Sequence, residues 1–598
     1  MVETMTTIDF WKTLIGRLVL VGGLIELLGI PCRGAGPSAA LTAEAVQRDR
    51  GAEVVAADFR DCLLSHPGDT VRVWVFFTDK GARDKASFES AAASVTLTGR
   101  ATKRRAKVGL DHVVFADLPV APDYVGAVEA IGAHHRRSSR WLNAASFDVE
   151  TSLVERIGLL PFVAEVKPMA AFQNTPEPPA EPESKPAPTE GAQSVDSLSY
   201  GASYYQLNQI GVPAVHNMGY SGAGVTLAIL DSGFRHAHEA FAAAWAEGRV
   251  LAEWDFVNND GNTDAEATDS MASQPNHGTQ VWSIVGGQAP AQLYGPAYGA
   301  NFILCKTESL RYELPIEEDN WVAAMEFADS IGTDVLTTSL GYRIFDDTCG
   351  CNLTYEDLDG QTAVISIAAS MADGLGIVLC KSVGNEGPSV GSLSAPADAF
   401  DILSVGNVDG NGVIQTSSSR GPTYDGRIKP EVCARGTAVT TAFPSPTVFN
   451  MYTTGNGTSF ATPLVAGAAC LVVQAHPDWM PSEVREALKA SGNHAQSPDN
   501  TYGWGVIRVD SALRINTGCC VGTVGDVNGE GGDVPTIGDV SLMIDFLFIS
   551  GTPPTCMAEA DVNQSGGLNP LRLDISIADV AMLIDHLFIS GVPLPNCL

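Results

Sequence analysis

Apolar residues show two kinds of periodicity between residues 198 and 517. Short apolar runs of strand length alternate with stretches whose apolar positions have helical spacing. The strand-like runs are VTLAIL, NFILCKT, DVLTTSL, GIVLCKSVG and DILSVGNV, and the clearest helical stretch is EDNWVAAMEFADSI. This alternation predicts an α/β domain in which helices wrap a parallel sheet. Catalytic side chains in such domains collect beyond the carboxyl ends of the strands.

The preceding region has a different pattern. Residues 45–172 combine the partly alternating, β-branched and aromatic run VRVWVFF with two helically spaced stretches, DYVGAVEAIGAHH and TSLVERIGLL. This combination predicts a small α+β domain. Residues 173–197 are rich in Pro and Glu and predict an extended, solvated linker between two folded bodies.

The last region, 521–598, is an internal duplication. SLMIDFLFISG at 541–551 returns as AMLIDHLFISG at 581–591, and each copy follows an Asp-Val-Asn segment. We expect a small α-helical domain with two loops. Oxygen-bearing side chains alternate in each loop and a carboxylate follows at the helix start, a pattern that suits Ca²⁺. The candidate ligands are Asp526, Asn528, Glu530 and Asp539 in one copy, and Asp561, Asn563, Ser565 and Asp579 in the other. The alternative is a pair of acidic, solvated turns.

The N-terminus predicts export. Lys12 and Arg17 precede the apolar run LVLVGGLIELLGI, and small residues follow it, which together predict a signal peptide over residues 1–37 and a secreted, extracellular or cell-surface location. The run is short for a membrane span, and no other stretch reaches about 20 apolar residues, so we expect no integral membrane segment. The net charge of -33 argues against nucleic acid as a partner.

Four short motifs in residues 198–517 contain residues suited to nucleophilic catalysis. Asp231 ends the run VTLAIL, His277 begins HGTQVWSIVGG, Asn385 lies in the glycine-bracketed turn SVGNEGP, and Ser459 begins the helical run in GTSFATPLVAGAAC. Each has an ordinary alternative: a turn aspartate, a helix start, a plain turn and a helix cap, respectively. Their occurrence together, in this order, at strand ends and helix starts of one α/β domain favours the catalytic interpretation.

The succession DSG, HGT, SLG, GNEG and GTSFATP resembles the subtilisin-like serine proteases, or subtilases. The order Asp, His, Ser is the one found in that family. The resemblance implies an endopeptidase in which Ser459 attacks the scissile carbonyl, His277 transfers the proton and Asp231 orients the imidazole. It further implies that Asn385 stabilises the oxyanion.

The same resemblance implies protein or peptide substrates, which would pair as an added strand with Ser339, Leu340 and Gly341. Residues 45–172 resemble the propeptides of such proteases, with an unrelated binding domain as the alternative. Residues 521–598 resemble a dockerin, a calcium-binding module whose partner is a cohesin domain. One rival interpretation is an inactive subtilase fold that acts as an adhesion or scaffold component through this tail. A lipase is disfavoured, because an α/β-hydrolase has the order Ser, Asp, His.

Overall fold

The computed structural model describes most of the chain outside its N-terminus. The described residues are 53–82, 84–110, 112–169, 196–269, 271–310, 318–342, 353–513, 523–528, 534–549, 554, 556–565 and 575–595. The predicted signal peptide, nearly all of the predicted linker and the candidate ligand Glu530 lie outside them.

An antiparallel four-stranded sheet, with strand order β2-β3-β1-β4, forms the N-terminal domain. Its strands are β1 (Thr70–Phe77), β2 (His134–Ser139), β3 (Ala144–Glu150) and β4 (Val163–Pro168), and its helices are α1 (Ala57–Ser65), α2 (Lys85–Ala92), α3 (Gly99–Ala106), α4 (Pro122–Glu129) and α5 (Val154–Gly158). The predicted α+β class is confirmed. The helix predicted over DYVGAVEAIGAHH is too long, because α4 ends at Glu129 and the chain turns at Gly132, whose φ is 117°. The two histidines of that stretch begin β2.

A seven-stranded parallel sheet, with strand order β13-β12-β11-β10-β5-β9-β6, forms the centre of the second domain. Its strands are β5 (Thr226–Asp231), β6 (Val250–Asp255), β9 (Asn301–Lys306), β10 (Val335–Thr338), β11 (Val378–Ser382), β12 (Leu403–Val408) and β13 (Val432–Arg435). Two short hairpins add β7 (Gln288–Ala289), β8 (Leu293–Tyr294), β14 (Val439–Ala442) and β15 (Tyr452–Gly455). All five predicted strands are present, and the predicted fold class is confirmed.

Helices cover both faces of this sheet. They are α6 (Tyr204–Gln209), α7 (Val212–Asn217), α8 (Ala242–Ala246), α9 (Asn276–Gly286), α10 (Glu318–Ile331), α11 (Val364–Gly374), α12 (Thr458–Ala475), α13 (Pro481–Ala490) and α14 (Val509–Ala512). Within the described part of the chain, α12 alone is long and apolar enough to cross a membrane, but 89% of it is buried. It packs against the strands as the central helix of the core.

The N-terminal domain shares a hydrophobic core with the sheet domain. Trp74, Phe76 and Trp141 of the first domain belong to the same buried cluster as Trp321 of α10. The N-terminal domain therefore packs on the side of the sheet that α10 covers. The interface is apolar and buried, like the interior of a domain.

The C-terminal region contains the two predicted helices, α15 (Ile537–Phe548) and α17 (Ile577–Phe588), and a short helix between them, α16 (Met557–Ala560). Val540 and Val580 are buried in a small core, and Leu547 and Leu587 pack against it. These four residues occupy equivalent positions in the two copies, so the duplication in the sequence is also a duplication in the structure.

Candidate active site

Asp231 and His277 are hydrogen-bonded to each other. Asp231 is the last residue of β5 and is fully buried, and its carboxylate also accepts a hydrogen bond from the Ser232 backbone N–H at 2.7 Å. His277 is the second residue of α9, and its Nδ1 lies 2.8 Å and 3.0 Å from the two Asp231 oxygens. An ionised carboxylate can only accept, so Nδ1 carries the proton and Nε2 is the nitrogen that can accept one.

Gly278 permits this close approach of the helix to the strand. A Cβ at this position would lie 2.3 Å from the Gly233 carbonyl oxygen and 3.0 Å from Asp231 Cβ. The glycine after the histidine is therefore a packing requirement of the Asp231–His277 contact.

Ser459 lies at the start of the central helix. The helix begins at Thr458 and its N-cap is Gly457, which has a φ of 138° and makes no side-chain capping bond. Ser459 is thus not the cap, which removes the ordinary alternative for this residue. The Phe460 ring lies 6.1 Å from the His277 ring, centroid to centroid. The positive end of the helix dipole is centred on this position.

The predicted substrate-binding segment lies directly beside Ser459. Ser339 follows the carboxyl end of β10, and its carbonyl accepts a hydrogen bond from Ser459 Oγ at 3.3 Å. In return, Ser339 Oγ donates to the Ser459 carbonyl at 3.0 Å. Leu340 is 8% exposed and Gly341 is exposed, so the backbone of this segment borders the surface.

Asn385 bonds Thr458, the residue that precedes Ser459. It is exposed, in the turn after β11, and its Oδ1 accepts hydrogen bonds from both the backbone N–H and the hydroxyl of Thr458, each at 3.0 Å. These bonds fix the orientation of the carboxamide and leave the Nδ2 hydrogens to donate elsewhere. The structure therefore brings the predicted catalytic residues to the carboxyl edge of the sheet.

The late carboxylates of the duplicated tail occupy equivalent positions. Asp539 accepts from the backbone N–H groups of Asn528 and Thr536, at 2.8 Å and 2.7 Å. Asp579 accepts from those of Asn563 and Ser576, each at 2.9 Å. Each carboxylate therefore links the start of its loop to the start of its helix.

The early tail ligands are held close to these positions. Asp561 Oδ1 accepts from the Ser565 backbone N–H at 3.0 Å, and Asn563 Oδ1 accepts from the same group at 2.9 Å. Asp526 and Asp561 are 8% and 1% exposed. In the second loop, oxygen atoms of Asp561 and Asn563 therefore lie close together, and such oxygens are the ligands that Ca²⁺ takes.

A further acidic group was not predicted from the sequence. Carboxylate oxygens of Asp255, Asp260 and Glu266 lie within 4.8 Å of one another, and the Lys306 ammonium lies 2.7 Å from Asp255. The acid-rich stretch DGNTDAEATD, which follows β6, is the signal that could have found this group.

Comparison with known proteins agrees with the fold. Residues 222–505 match the model of the Subtilase family, and residues 72–185 match that of the Peptidase S8 propeptide domain, Bacteroidota. The chain is 30% identical to Serine protease AprX of Bacillus subtilis (strain 168) over 320 residues, which are 49% of this chain and 67% of that protein. It is also 30% identical to Subtilisin of Bacillus pumilus over 314 residues, which are 52% of this chain and 98% of that protein.

A solved structure shares the architecture. Fervidolysin from Fervidobacterium pennivorans, described as a keratinolytic enzyme related to subtilisin, aligns with a TM-score of 0.54 and 17% identity over 82% of this chain and 68% of its own. This likeness concerns the fold alone. The family matches and the identity to Serine protease AprX show that the chain belongs to the subtilase family of serine endopeptidases and has an N-terminal propeptide domain.

Proposed function

We propose that Asp231, His277 and Ser459 form the catalytic triad of this endopeptidase. The observation that supports the triad best is the buried Asp231 carboxylate bonded to His277 Nδ1, with Ser459 on the adjacent helix start. Ser459 Oγ attacks the scissile carbonyl carbon while its proton passes to His277 Nε2. The same nitrogen then protonates the leaving amine, and water hydrolyses the acyl-enzyme by the reverse sequence of proton transfers.

Asn385 and the Ser459 backbone N–H form the oxyanion hole in this proposal. The two bonds that Thr458 donates to Asn385 Oδ1 support this role, because they preorganise the carboxamide before substrate binds. Preorganised donors stabilise the charge that develops on the carbonyl oxygen without further reorganisation.

The substrate is a protein or peptide in an extended conformation. Its backbone pairs with Ser339, Leu340 and Gly341, a mode supported by the position of this segment next to Ser459. The domain at residues 45–172 acts as an inhibitory propeptide, and self-cleavage between about residues 170 and 198 releases the mature domain at 198–517. The signal peptide at 1–37 directs secretion.

The tail at 521–598 is an anchoring module in this proposal. Its matched helices and loops support a calcium-dependent, dockerin-like role with a cohesin domain as partner. Ca²⁺ would be held by Asp526, Asn528 and Asp539 in the first loop, with Glu530, and by Asp561, Asn563, Ser565 and Asp579 in the second. When bound, the ion supplies electrostatic cross-linking of each loop to its helix.

Self-processing tests the proposed nucleophile. We expect purified Ser459→Ala protein to remain the full precursor, because the hydroxyl that attacks the linker is missing. The matched control is Ser94→Ala, since in the described structure the Ser94 hydroxyl bonds only the carbonyl of Ala91, at the end of the preceding helix α2. Maturation of Ser459→Ala at the control rate, in the absence of other proteases, would contradict the proposal and would favour an inactive scaffold.

A further inference from the structure

A buried lysine lies next to Gly341, the last residue of the proposed substrate-binding segment. Lys381, in β11, is fully buried, and its ammonium donates to the carbonyl and the hydroxyl of the next residue, Ser382, at 2.5 Å and 2.9 Å. The triad and the oxyanion hole do not use this residue. Its closeness to Gly341, in the segment that bonds Ser459, points to a role in substrate selection.

The walls of the cleft beside Gly341 follow from the contacts of Ser459. One wall is the segment that ends at Gly341, and the other is the turn that contains Gly384 and Asn385. When the acyl carbon lies against Ser459 Oγ and its oxygen faces Asn385, these two segments border the side chain on the acyl side.

Both walls approach the same floor. Ser394 Oγ would be the nearest atom to a Cβ built on Gly341, at 2.9 Å, and it would also be the nearest to a Cβ built on Gly384. Lys381 Nζ lies beside it, 3.1 Å from the same point on Gly341. The floor between the two walls therefore carries a hydroxyl, the ammonium group next to Gly341, and the Glu386 carboxylate, whose Oε2 would lie 2.5 Å from the Cβ built on Gly384.

The ammonium group lacks an anionic partner among the described residues, because none of their carboxylates lies within 4.0 Å of it. The two acidic groups that act on it from farther away are otherwise engaged. Glu386 accepts hydrogen bonds from Ser394 and Ser419, at 3.3 Å and 3.0 Å. Asp398 accepts from Ser366 Oγ at 2.7 Å and from a backbone N–H. A buried ammonium that bonds only neutral acceptors gains much from a carboxylate.

We propose that Lys381 is a specificity-determining residue and that this protease prefers substrates with Glu or Asp on the acyl side of the scissile bond. The substrate carboxylate replaces the local bonds of the ammonium to Ser382, and Ser394 donates a second hydrogen bond to it in exchange for its 3.3 Å bond to Glu386. The proposal rests on the proposed function, since it takes Ser459 as the nucleophile.

The chain's own linker contains bonds of this kind. Within residues 170–197, acidic residues occur at Glu177, Glu181, Glu183, Glu190 and Asp196, and the first two are followed by proline, whose ring constrains the bond. If the enzyme matures itself, sequencing of the mature N-terminus should find a start directly after Glu183, Glu190 or Asp196. A start after a neutral or basic residue would count against the acidic preference.

Matched peptide substrates test the preference directly. We expect kcat/KM for a peptide with Glu on the acyl side to exceed that for the isosteric Gln peptide by about tenfold or more, because the ammonium–carboxylate bond is lost with Gln. Lys381→Met, which keeps the length of the side chain, should bring the Glu:Gln ratio to one or below. Fluorophosphonate titration normalises each rate to the concentration of active enzyme.

A pH profile of the unmodified enzyme gives a second readout that does not depend on a folded variant. Burial lowers the pKa of Lys381 to about 7. The Glu:Gln ratio of kcat/KM should therefore be highest below pH 7 and fall above it, as the free enzyme loses this proton. The ratio cancels any pH effect on the chemical step that both substrates share.

The outcomes separate this inference from the proposed function. Equal cleavage of Glu and Gln peptides at all pH values, or a ratio unchanged in Lys381→Met, would overturn the role of Lys381 and leave the triad intact. Absence of cleavage of either peptide, together with absence of Ser459 labelling, would overturn the proposed function itself.

Discussion

Asp329 holds three arginines of the propeptide domain at the interface with α10. Its carboxylate oxygens lie 2.5 Å from Arg104 Nη2, 2.7 Å from Arg105 Nη2 and 2.9 Å from Arg140 Nη2. Asp329 and Arg105 are fully buried, and Arg104 is 1% exposed. Burial alone would raise the pKa of Asp329, but the three guanidinium groups together hold it below its usual value.

We predict that Asp329→Ala strongly destabilises the precursor. Removing one partner of a buried ion pair costs about 3–5 kcal/mol, because the remaining charge stays buried without compensation. Here three guanidinium groups lose an acceptor, so the upper part of that range is expected. Since domains unfold with about 5–15 kcal/mol, the loss is a third or more of the total.

Urea unfolding of the precursor measures this loss, with Ser459→Ala as the background so that self-cleavage does not occur. The fluorescence of Trp74 and Trp141, which are buried at the interface, reports the separation of the domains. The control is Glu89→Ala, which removes an exposed pair with Lys85 at 3.8 Å and should cost less than about 1 kcal/mol. An unchanged midpoint for Asp329→Ala would refute the account of this interface.

Three further predictions concern other parts of the chain. Burial raises the pKa of Glu318 to about 7 from 4.5. The buried carboxyl therefore stabilises the precursor fully below pH 4.5, where it is protonated in the folded and the unfolded state, and this stabilisation is lost as the pH rises to 7. Glu318→Gln should therefore stabilise the precursor by about 2–3 kcal/mol at pH 8 and not at pH 4, by urea unfolding; equal effects at both pH values would contradict this. Asn385→Ala should lower kcat by about 10²–10³ with folding unchanged, and unchanged turnover of a peptide would remove Asn385 from the mechanism. A fragment of residues 518–598 should gain helix on addition of Ca²⁺ by circular dichroism, and Asp526→Ala with Asp561→Ala should abolish the gain; identical spectra with and without chelator would leave only acidic turns.

The local pattern of the sequence was sufficient to predict that the strand ends and helix starts of the proposed site come together. Asp231 and Asn385 each follow a buried apolar run, and the carboxyl ends of parallel strands meet at one edge of a sheet. His277 and Ser459 begin helices next to that edge. Their proximity therefore follows from the order of strands and helices, which periodicity reveals.

Burial by a second domain could not be predicted in this way. The stretch GRATKRRA has the composition of a solvated helix, yet Arg104 and Arg105 are buried because α10 supplies Asp329. Lys381 likewise lies in a strand that the apolar residues around it predict. Its proposed role depends on its nearness to Gly341 and Ser394, which are distant from it in the sequence. Such environments depend on tertiary partners and leave no periodic signal.

Labelling with a fluorophosphonate, followed by identification of the modified residue, tests the central claim most directly. The reagent reacts with a serine hydroxyl that an adjacent base has activated. We predict that the mature protein is modified at Ser459 and that His277→Ala abolishes the modification. Labelling of another serine, with Ser459 unmodified, would contradict the account.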